Sequence, residues 1–131
     1  MDTLDEIIES FELLDDWEER YRVLIDLGKK LPPFPEDLKR DEFLVRGCTS
    51  KVWMVVDNRD ETLKFQADSE AHIVKGLVAL LYIIFNNMPI RDLSSVDIDS
   101  IFKKLSLDQN LSPNRRNGFY SMVERIRRYS V

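Results

Sequence analysis

The start of the chain alternates apolar and polar residues with the spacing of two amphipathic helices. The segment 4–14 collects on one helical face the apolar side chains of Leu4, Ile7, Ile8, Phe11 and Leu14. A second face of this kind predicts a helix from Asp16 to about residue 30. Thr3 and Asp16 are suited to cap the two helices, because their side chains can accept from free backbone N–H groups. The proline-rich segment 31–35 then ends the second helix, since proline removes a backbone donor.

The middle of the chain changes to the composition of β-strands. Residues 43–46, 51–57 and 62–67 are rich in β-branched and aromatic side chains, and the polar segment 58–61 is typical of a hairpin turn. The segment 51–57 is apolar on both faces, which favours a central position. We therefore expect a three-stranded antiparallel sheet.

Helical spacing returns after the predicted sheet. Asp68 or Ser69 is expected to cap a long helix that ends near residue 86 and is apolar nearly all round, which predicts a buried central position. Two short helical segments are expected before residue 106. Ser112, followed by a proline at the first helical position, is expected to cap the last helix.

The composition is that of an ordinary globular domain. The 131 residues are 44% hydrophobic and 33% charged, which suits a single domain over residues 1–131 with a core of its own. With the pattern above, this predicts an α+β fold in which helices pack on the small sheet. The net charge of −5 argues against nucleic-acid binding, and the apolar run 76–85 is too short to cross a membrane. An acidic start and a lone cysteine lead us to expect a cytoplasmic protein.

The only cysteine, Cys48, is the strongest candidate for chemistry. It follows Gly47 at a predicted strand junction. Two hydroxyls and a cation come next and are potential donors to a thiolate: Thr49, Ser50 and Lys51. One thiol cannot form an intramolecular disulfide or build a metal site by itself, but it can act as a nucleophile or hold a transferred group. The alternative for any lone cysteine is an inert, buried side chain.

Other sites find little support in the sequence. His72 is the only histidine, which excludes a zinc site of cysteine and histidine ligands. The chain has no P-loop, no dinucleotide-binding glycine pattern and no G-x-S-x-G motif. A Cys48–His72 dyad like that of thiol hydrolases is conceivable, although such enzymes usually supply a third, orienting group. We expect neither a metal nor a cofactor.

The residues around the cysteine resemble a known family. Residues 47–53, Gly-Cys-Thr-Ser-Lys-Val-Trp, are similar to the Gly-Cys-x-Ser-x-Val-Trp segment of the SufE family, the sulfur acceptors of iron–sulfur cluster assembly. Three further blocks match in the family's order and lie in residues 17–32, in residues 68–77 and in residues 111–118. Together the four blocks cover nearly the whole chain.

The resemblance implies a fold shared with IscU-type scaffolds and the role of a sulfur carrier. In that role Cys48 takes persulfide sulfur from a pyridoxal-phosphate-dependent cysteine desulfurase of the SufS or CsdA type. It stimulates that enzyme and delivers the sulfur to a scaffold of the SufBCD type. The residues then expected to support the loop or contact the partner are Gly47, Lys51, Glu70 and Arg115. Arg115 is expected on the inward face of its helix, and Glu70 one turn into the central helix.

Three alternatives stay open. A CsdE-type acceptor, serving a different desulfurase, is the nearest within the family. A stand-alone thiol enzyme, either a hydrolase or a one-cysteine peroxidase, would use Cys48 as its nucleophile. An adaptor with an inert cysteine would stimulate a partner without using the thiol. An IscU-like scaffold is disfavoured because cluster assembly needs several ligands and the chain has one cysteine. The sequence identifies neither the desulfurase nor the scaffold, and it leaves homodimer formation open.

Overall fold

Six α-helices surround one small sheet within residues 2–129, the part of the chain that the computed structural model describes. The helices are α1 (Leu4–Leu13), α2 (Trp17–Lys29), α3 (His72–Phe85), α4 (Ile98–Lys104), α5 (Leu107–Asn110) and α6 (Pro113–Arg127). The strands are β1 (Val52–Asp57) and β2 (Lys64–Ser69). Short 3₁₀ turns lie at Glu36–Leu38, Asp41–Phe43 and Ile90–Ser95. The predicted α+β class is confirmed.

Local capping places the starts of three helices where the sequence predicts them. The side-chain oxygens of Thr3, Asp16 and Ser112 accept hydrogen bonds of 3.0–3.2 Å from backbone N–H groups in the first turns of α1, α2 and α6. Pro113 is the first residue of α6, where its missing N–H costs nothing. These helix starts are therefore set by residues close in sequence.

The sheet is smaller than predicted. β1 pairs with β2 in antiparallel register, with Val52 opposite Ser69. The prediction of a third full strand over residues 43–46 is wrong, because the chain makes a 3₁₀ turn up to Phe43 and a second turn at Gly47. Between these turns only Leu44 bridges to Trp53. The two-stranded sheet with this one bridge still leaves β1 in the central position expected for it.

The central helix begins later than predicted. Asp68 and Ser69 do not cap it, because they still belong to β2 and pair with β1. The Ser69 hydroxyl donates instead to the carbonyl oxygen of Lys51 at 2.8 Å. Glu70 therefore lies before α3, and its predicted position one turn into the helix is wrong.

The core forms around α3, as its apolar sequence predicts. Leu77, Leu80 and Leu81 are fully buried, and burial of each such side chain contributes about 2 kcal/mol. α2 approaches α3 so closely at Gly76 that a β-carbon there would overlap the backbone of Leu24. The sheet and α6 pack on other sides of α3. No helix within residues 2–129 combines the length and apolar character needed to cross a membrane.

Candidate functional site

Cys48 lies on a loop that is held by one backbone hydrogen bond and one side-chain hydrogen bond. The loop, residues 46–51, enters β1 from the bridged segment, and its base is closed by the N–H of Val45, which donates to the carbonyl oxygen of Val52 at 2.8 Å. The hydrogen bond from Ser69 to the Lys51 carbonyl ties the far end of the loop to β2. The base of the loop is thus fixed to the sheet.

Gly47 has a backbone conformation that other residues adopt only with strain. Its φ is +91°, in the left-handed region that glycine tolerates and L-residues avoid. A β-carbon at this position would also overlap the hydroxyl of Ser121 in α6. Both constraints favour glycine immediately before the cysteine when the loop rests on α6.

The thiol of Cys48 points inward, toward α6. The residue is half-buried, and its S–H donates to the carbonyl oxygen of Gly118 across an S–O distance of 3.5 Å. Burial raises the pKa of the Cys48 thiol, because the thiolate would lose solvation in this position. The resting site therefore favours the neutral thiol, which is a poor nucleophile.

The residue of α6 beside Cys48 is a glycine, Gly118. Gly118 is buried in the interior of α6, where glycine destabilises a helix by about 1 kcal/mol relative to alanine. The three atoms nearest to a β-carbon built there all belong to Cys48, at 3.5–3.8 Å. The cysteine thus packs directly against the helix backbone.

A cavity of about 330 Å³ opens beside the thiol. Its apolar wall comes from α3 and α6 and consists of Val74, Leu77, Phe119 and Met122. Its polar rim comes from the loop and the start of α6 and includes Thr49, Ser50, Ser112, Asn114 and Arg115. The wall is continuous with the core, since the ring centroid of Phe119 lies 4.8 Å from that of the buried Phe102. The site therefore has room for atoms beyond the thiol itself.

The other predicted site residues lie at different distances from this cavity. Lys51 is exposed and lines a separate cavity of about 290 Å³ on the loop, which Gly47 and Cys48 also line. Glu70 is exposed and lines neither cavity. Arg115 lines the larger cavity, but its predicted inward position is wrong: it is exposed, because the first turn of α6 projects past the core at the cavity rim.

Three cationic side chains lie on the loop or at the rim of the larger cavity. Among the ion pairs of residues 2–129, none involves Lys51, Arg115 or Arg46, all of which are exposed. Their charges are thus available to an approaching partner, although screening by salt weakens them. His72 is the exposed first residue of α3, and Cys48 donates its hydrogen bond to a backbone carbonyl rather than to an imidazole.

The sequence did not predict a charged cluster around Asp68 that supports the Cys48 loop. The carboxylate of Asp68 lies 3.3 Å from the ammonium of Lys39 and 3.2 Å from that of Lys75, and it accepts from the N–H of Ser69 at 2.8 Å. This cluster fixes Ser69, which in turn holds the Lys51 end of the loop. No local signal predicts it, because Lys39 comes from a distant part of the chain. No group of three histidine, cysteine or acidic residues within the described range is arranged to hold a metal ion.

The chain is similar to known proteins along nearly its whole length. The family model described as SufE, the Fe-S metabolism associated domain, matches residues 5–130. An uncharacterized SufE-like protein of Rhizobium etli is 45% identical over 97% of this chain and 88% of its own length. A second such protein, from Rhizobium meliloti, is 44% identical over 97% of this chain and 94% of its own.

A solved structure shows the same fold. The solution structure of a hypothetical protein from Thermus thermophilus matches with a TM-score of 0.74 at 20% identity, over 96% of this chain and 91% of that one. The resemblance found around Cys48 is thus confirmed over nearly the whole sequence. The chain belongs to the SufE family, whose domain is associated with Fe–S metabolism.

Proposed function

We propose that this protein accepts sulfur on Cys48 from a cysteine desulfurase and delivers it to an iron–sulfur cluster scaffold. The observation that supports this most directly is the position of the only thiol in the chain. It sits at the tip of a loop with a fixed base, beside a cavity with room for added atoms. A carrier needs one thiol that can leave its resting position and return with a group attached.

The proposed transfer is a thiol–persulfide exchange. The Cys48 thiolate attacks the outer sulfur of the persulfide on the desulfurase. A new S–S bond forms on Cys48, the S–S bond on the enzyme breaks, and the enzyme's inner sulfur leaves with the electron pair as a thiolate. Removal of the product sulfur frees the desulfurase for another turnover, so an acceptor of this kind also stimulates its partner.

The resting geometry requires activation on docking. A neutral thiol that donates to the Gly118 carbonyl must lose its proton and turn outward before it can attack. Gly47 supplies the flexible position for that movement. Binding to the partner stabilises the outward loop only if the partner binds that state more tightly than the resting one.

We further propose which groups meet the partner. Lys51 and Arg115 are exposed and each lines a cavity that Cys48 also lines; they stabilise the thiolate and contact the desulfurase. Glu70 lies at the edge of the same contact. The desulfurase is of the SufS or CsdA type, and the receiving scaffold is of the SufBCD type. An unpaired reactive thiol also needs a reducing compartment, so we place the protein in the cytoplasm.

A stand-alone thiol enzyme fits the geometry less well. Such an enzyme activates its cysteine with an adjacent base that is itself oriented by a third group. Here the hydrogen-bond partner of the thiol is a backbone carbonyl, which accepts the hydrogen bond but is too weak a base to remove the proton. Burial also raises the pKa of Cys48. The resting site suppresses reactivity, which suits a carrier better than a hydrolase or peroxidase.

The test is transfer of sulfur in a purified system. The protein is incubated with a SufS-type or CsdA-type desulfurase and free cysteine, and the peptide that contains Cys48 is examined by mass spectrometry without reductant. We expect a gain of one sulfur atom on Cys48 and faster release of alanine. If the desulfurase turns over and Cys48 stays unmodified, the protein is not a sulfur acceptor for that enzyme.

Charge reversal tests the proposed docking surface. Lys51→Glu, Arg115→Glu and Glu70→Lys are each expected to change the affinity for the desulfurase by roughly two- to fivefold, the range for exposed charge pairs. The effect should shrink at high salt, because rim charges are screened. Affinity is measured by titration with the desulfurase at two ionic strengths.

The matched control is Glu12→Lys. Glu12 is exposed on α1 and lines neither cavity beside the thiol. Its reversal should leave affinity nearly unchanged. Equal effects at Glu12 and at the three proposed sites would place the docking surface elsewhere.

A further inference from the structure

Gly118 occupies a position where glycine has a cost and no evident benefit in the resting protein. It lies in the interior of α6, where glycine is less favourable than alanine because it loses more backbone freedom on folding. Its φ is not positive, since Gly47 is the only described glycine in that region. The helix geometry alone therefore does not require glycine at this position.

Packing in the resting state does not require it either. A β-carbon at Gly118 would lie 3.5 Å from Sγ of Cys48, 3.7 Å from its Cα and 3.8 Å from its Cβ. These are ordinary van der Waals distances. Gly76 is the contrasting case, because a β-carbon there would overlap the backbone of Leu24. A methyl group at 118 would fit against the reduced cysteine, whereas one at 76 would not fit at all.

The space left by the missing side chain adjoins the sulfur atom. We propose that Gly118 provides room for the outer sulfur of a Cys48 persulfide, and that it is a positioning residue for the loaded state. This inference rests on the proposed function. A second sulfur is bonded at about 2.05 Å from Sγ, so one directed toward α6 would press against a methyl group held 3.5 Å from Sγ. The exposed Arg115 lines the same cavity and would offer a cation to the charged outer sulfur.

The test loads the sulfur without a partner enzyme. The wild-type protein, Gly118→Ala and Asn117→Ala are treated with inorganic polysulfide. The Cys48 thiolate attacks a polysulfide sulfur, one S–S bond of the polysulfide breaks, and the shortened polysulfide leaves with the electron pair. Loss of the bound sulfur to dithiothreitol is then followed by intact mass. Asn117→Ala is the matched control, because Asn117 is an exposed neighbour in α6 that does not line the cavity, and its replacement also raises helix propensity.

We expect the reduced Gly118→Ala protein to melt at or above the wild-type temperature. Its persulfide should be lost at least about fivefold faster than that of the wild type, since fivefold is the lower end of the range expected for overpacking by one methyl group. Asn117→Ala should retain its persulfide as long as the wild type. A role in folding alone would lower the melting temperature of the reduced variant and leave the persulfide lifetime unchanged.

Three results would overturn the assignment. The first is an equal persulfide lifetime in the wild type and Gly118→Ala. The second is a reduced Gly118→Ala protein that melts well below the wild type, since glycine would then be needed for resting packing. The third is a wild-type persulfide lost as fast as that of unfolded protein. Failure of the proposed function is a separate result, because it would be seen only as absence of transfer from a desulfurase.

Discussion

Replacement of Cys48 with serine should abolish stimulation of the desulfurase while leaving the fold intact. Serine is close in size and its hydroxyl can donate to the Gly118 carbonyl in place of the thiol. It cannot accept sulfur, so alanine release should fall to the rate of the desulfurase alone. The measurement compares alanine release with wild-type protein, with Cys48→Ser and with no added protein.

Binding and stability controls separate loss of chemistry from loss of structure. The melting temperature of Cys48→Ser should stay close to that of the wild type. Titration should show that the variant still binds the desulfurase. Full stimulation by the serine variant would contradict the carrier proposal. The protein would then be an adaptor that stimulates its partner by binding.

Replacement of Gly47 with alanine should expose the thiol and raise its alkylation rate about tenfold. At φ +91° an L-residue is strained by about 1–2 kcal/mol, an energy that corresponds to roughly a tenfold shift in an equilibrium. The new methyl group would also overlap the hydroxyl of Ser121. The backbone strain and the overlap with Ser121 are both relieved when the loop moves away from α6. The hydrogen bond between Val45 and Val52 at the loop base lies outside the strained position, so we expect the domain to stay folded.

The pH at which alkylation becomes fast should be lower in Gly47→Ala than in the wild type. Burial raises the pKa of the Cys48 thiol in the resting protein, so exposure should lower it toward its ordinary value. The alkylation rate of Gly47→Ala should therefore rise at lower pH than that of the wild type, because thiolate is the reactive form. Iodoacetamide labelling is measured over a range of pH for native wild type, for native variant and for denatured protein.

Ser121→Ala supplies the matched control for Gly47→Ala. Alone it should label like the wild type, since it removes only the hydroxyl that the new methyl group would overlap. Combined with Gly47→Ala it should restore protection in part, because the backbone strain remains. If the native wild-type thiol labels as fast as denatured protein, the resting position of Cys48 gives no protection and the basis of this prediction is lost.

The elements that the sequence predicts well are those set by neighbouring residues. Thr3, Asp16 and Ser112 cap helices through hydrogen bonds to N–H groups two or three residues away, so short-range patterns suffice. The unbroken apolar character of α3 likewise predicts its burial. The segment around Cys48, with the three blocks that accompany it, predicts membership of the SufE family, and the family match over residues 5–130 confirms it.

The errors in the predicted sheet and helices come from competition between local and distant partners. Ser69 is a good helix cap by its residue type, yet its hydroxyl donates to Lys51 across the sheet and the helix starts later. The segment 43–46 has strand composition, but turns at both ends leave it one bridge to Trp53. Arg115 lies four residues before the buried Phe119, a spacing that predicts the same inward face of the helix. It is nevertheless exposed, because the start of α6 extends past the core.

The sequence by itself determined that the chain has one thiol and that it lies between a glycine and a strand, which makes Cys48 the candidate for chemistry. Only the tertiary structure decided that this thiol is half-buried and donates a hydrogen bond to the carbonyl oxygen of Gly118. The contacts of Cys48 with Gly118 join residues 70 positions apart, and that of Gly47 with Ser121 is also long-range. These long-range contacts follow from how α6 packs on α3 and from where the sheet holds the loop. No pattern of neighbouring residues specifies them, because they depend on the packing of the whole core.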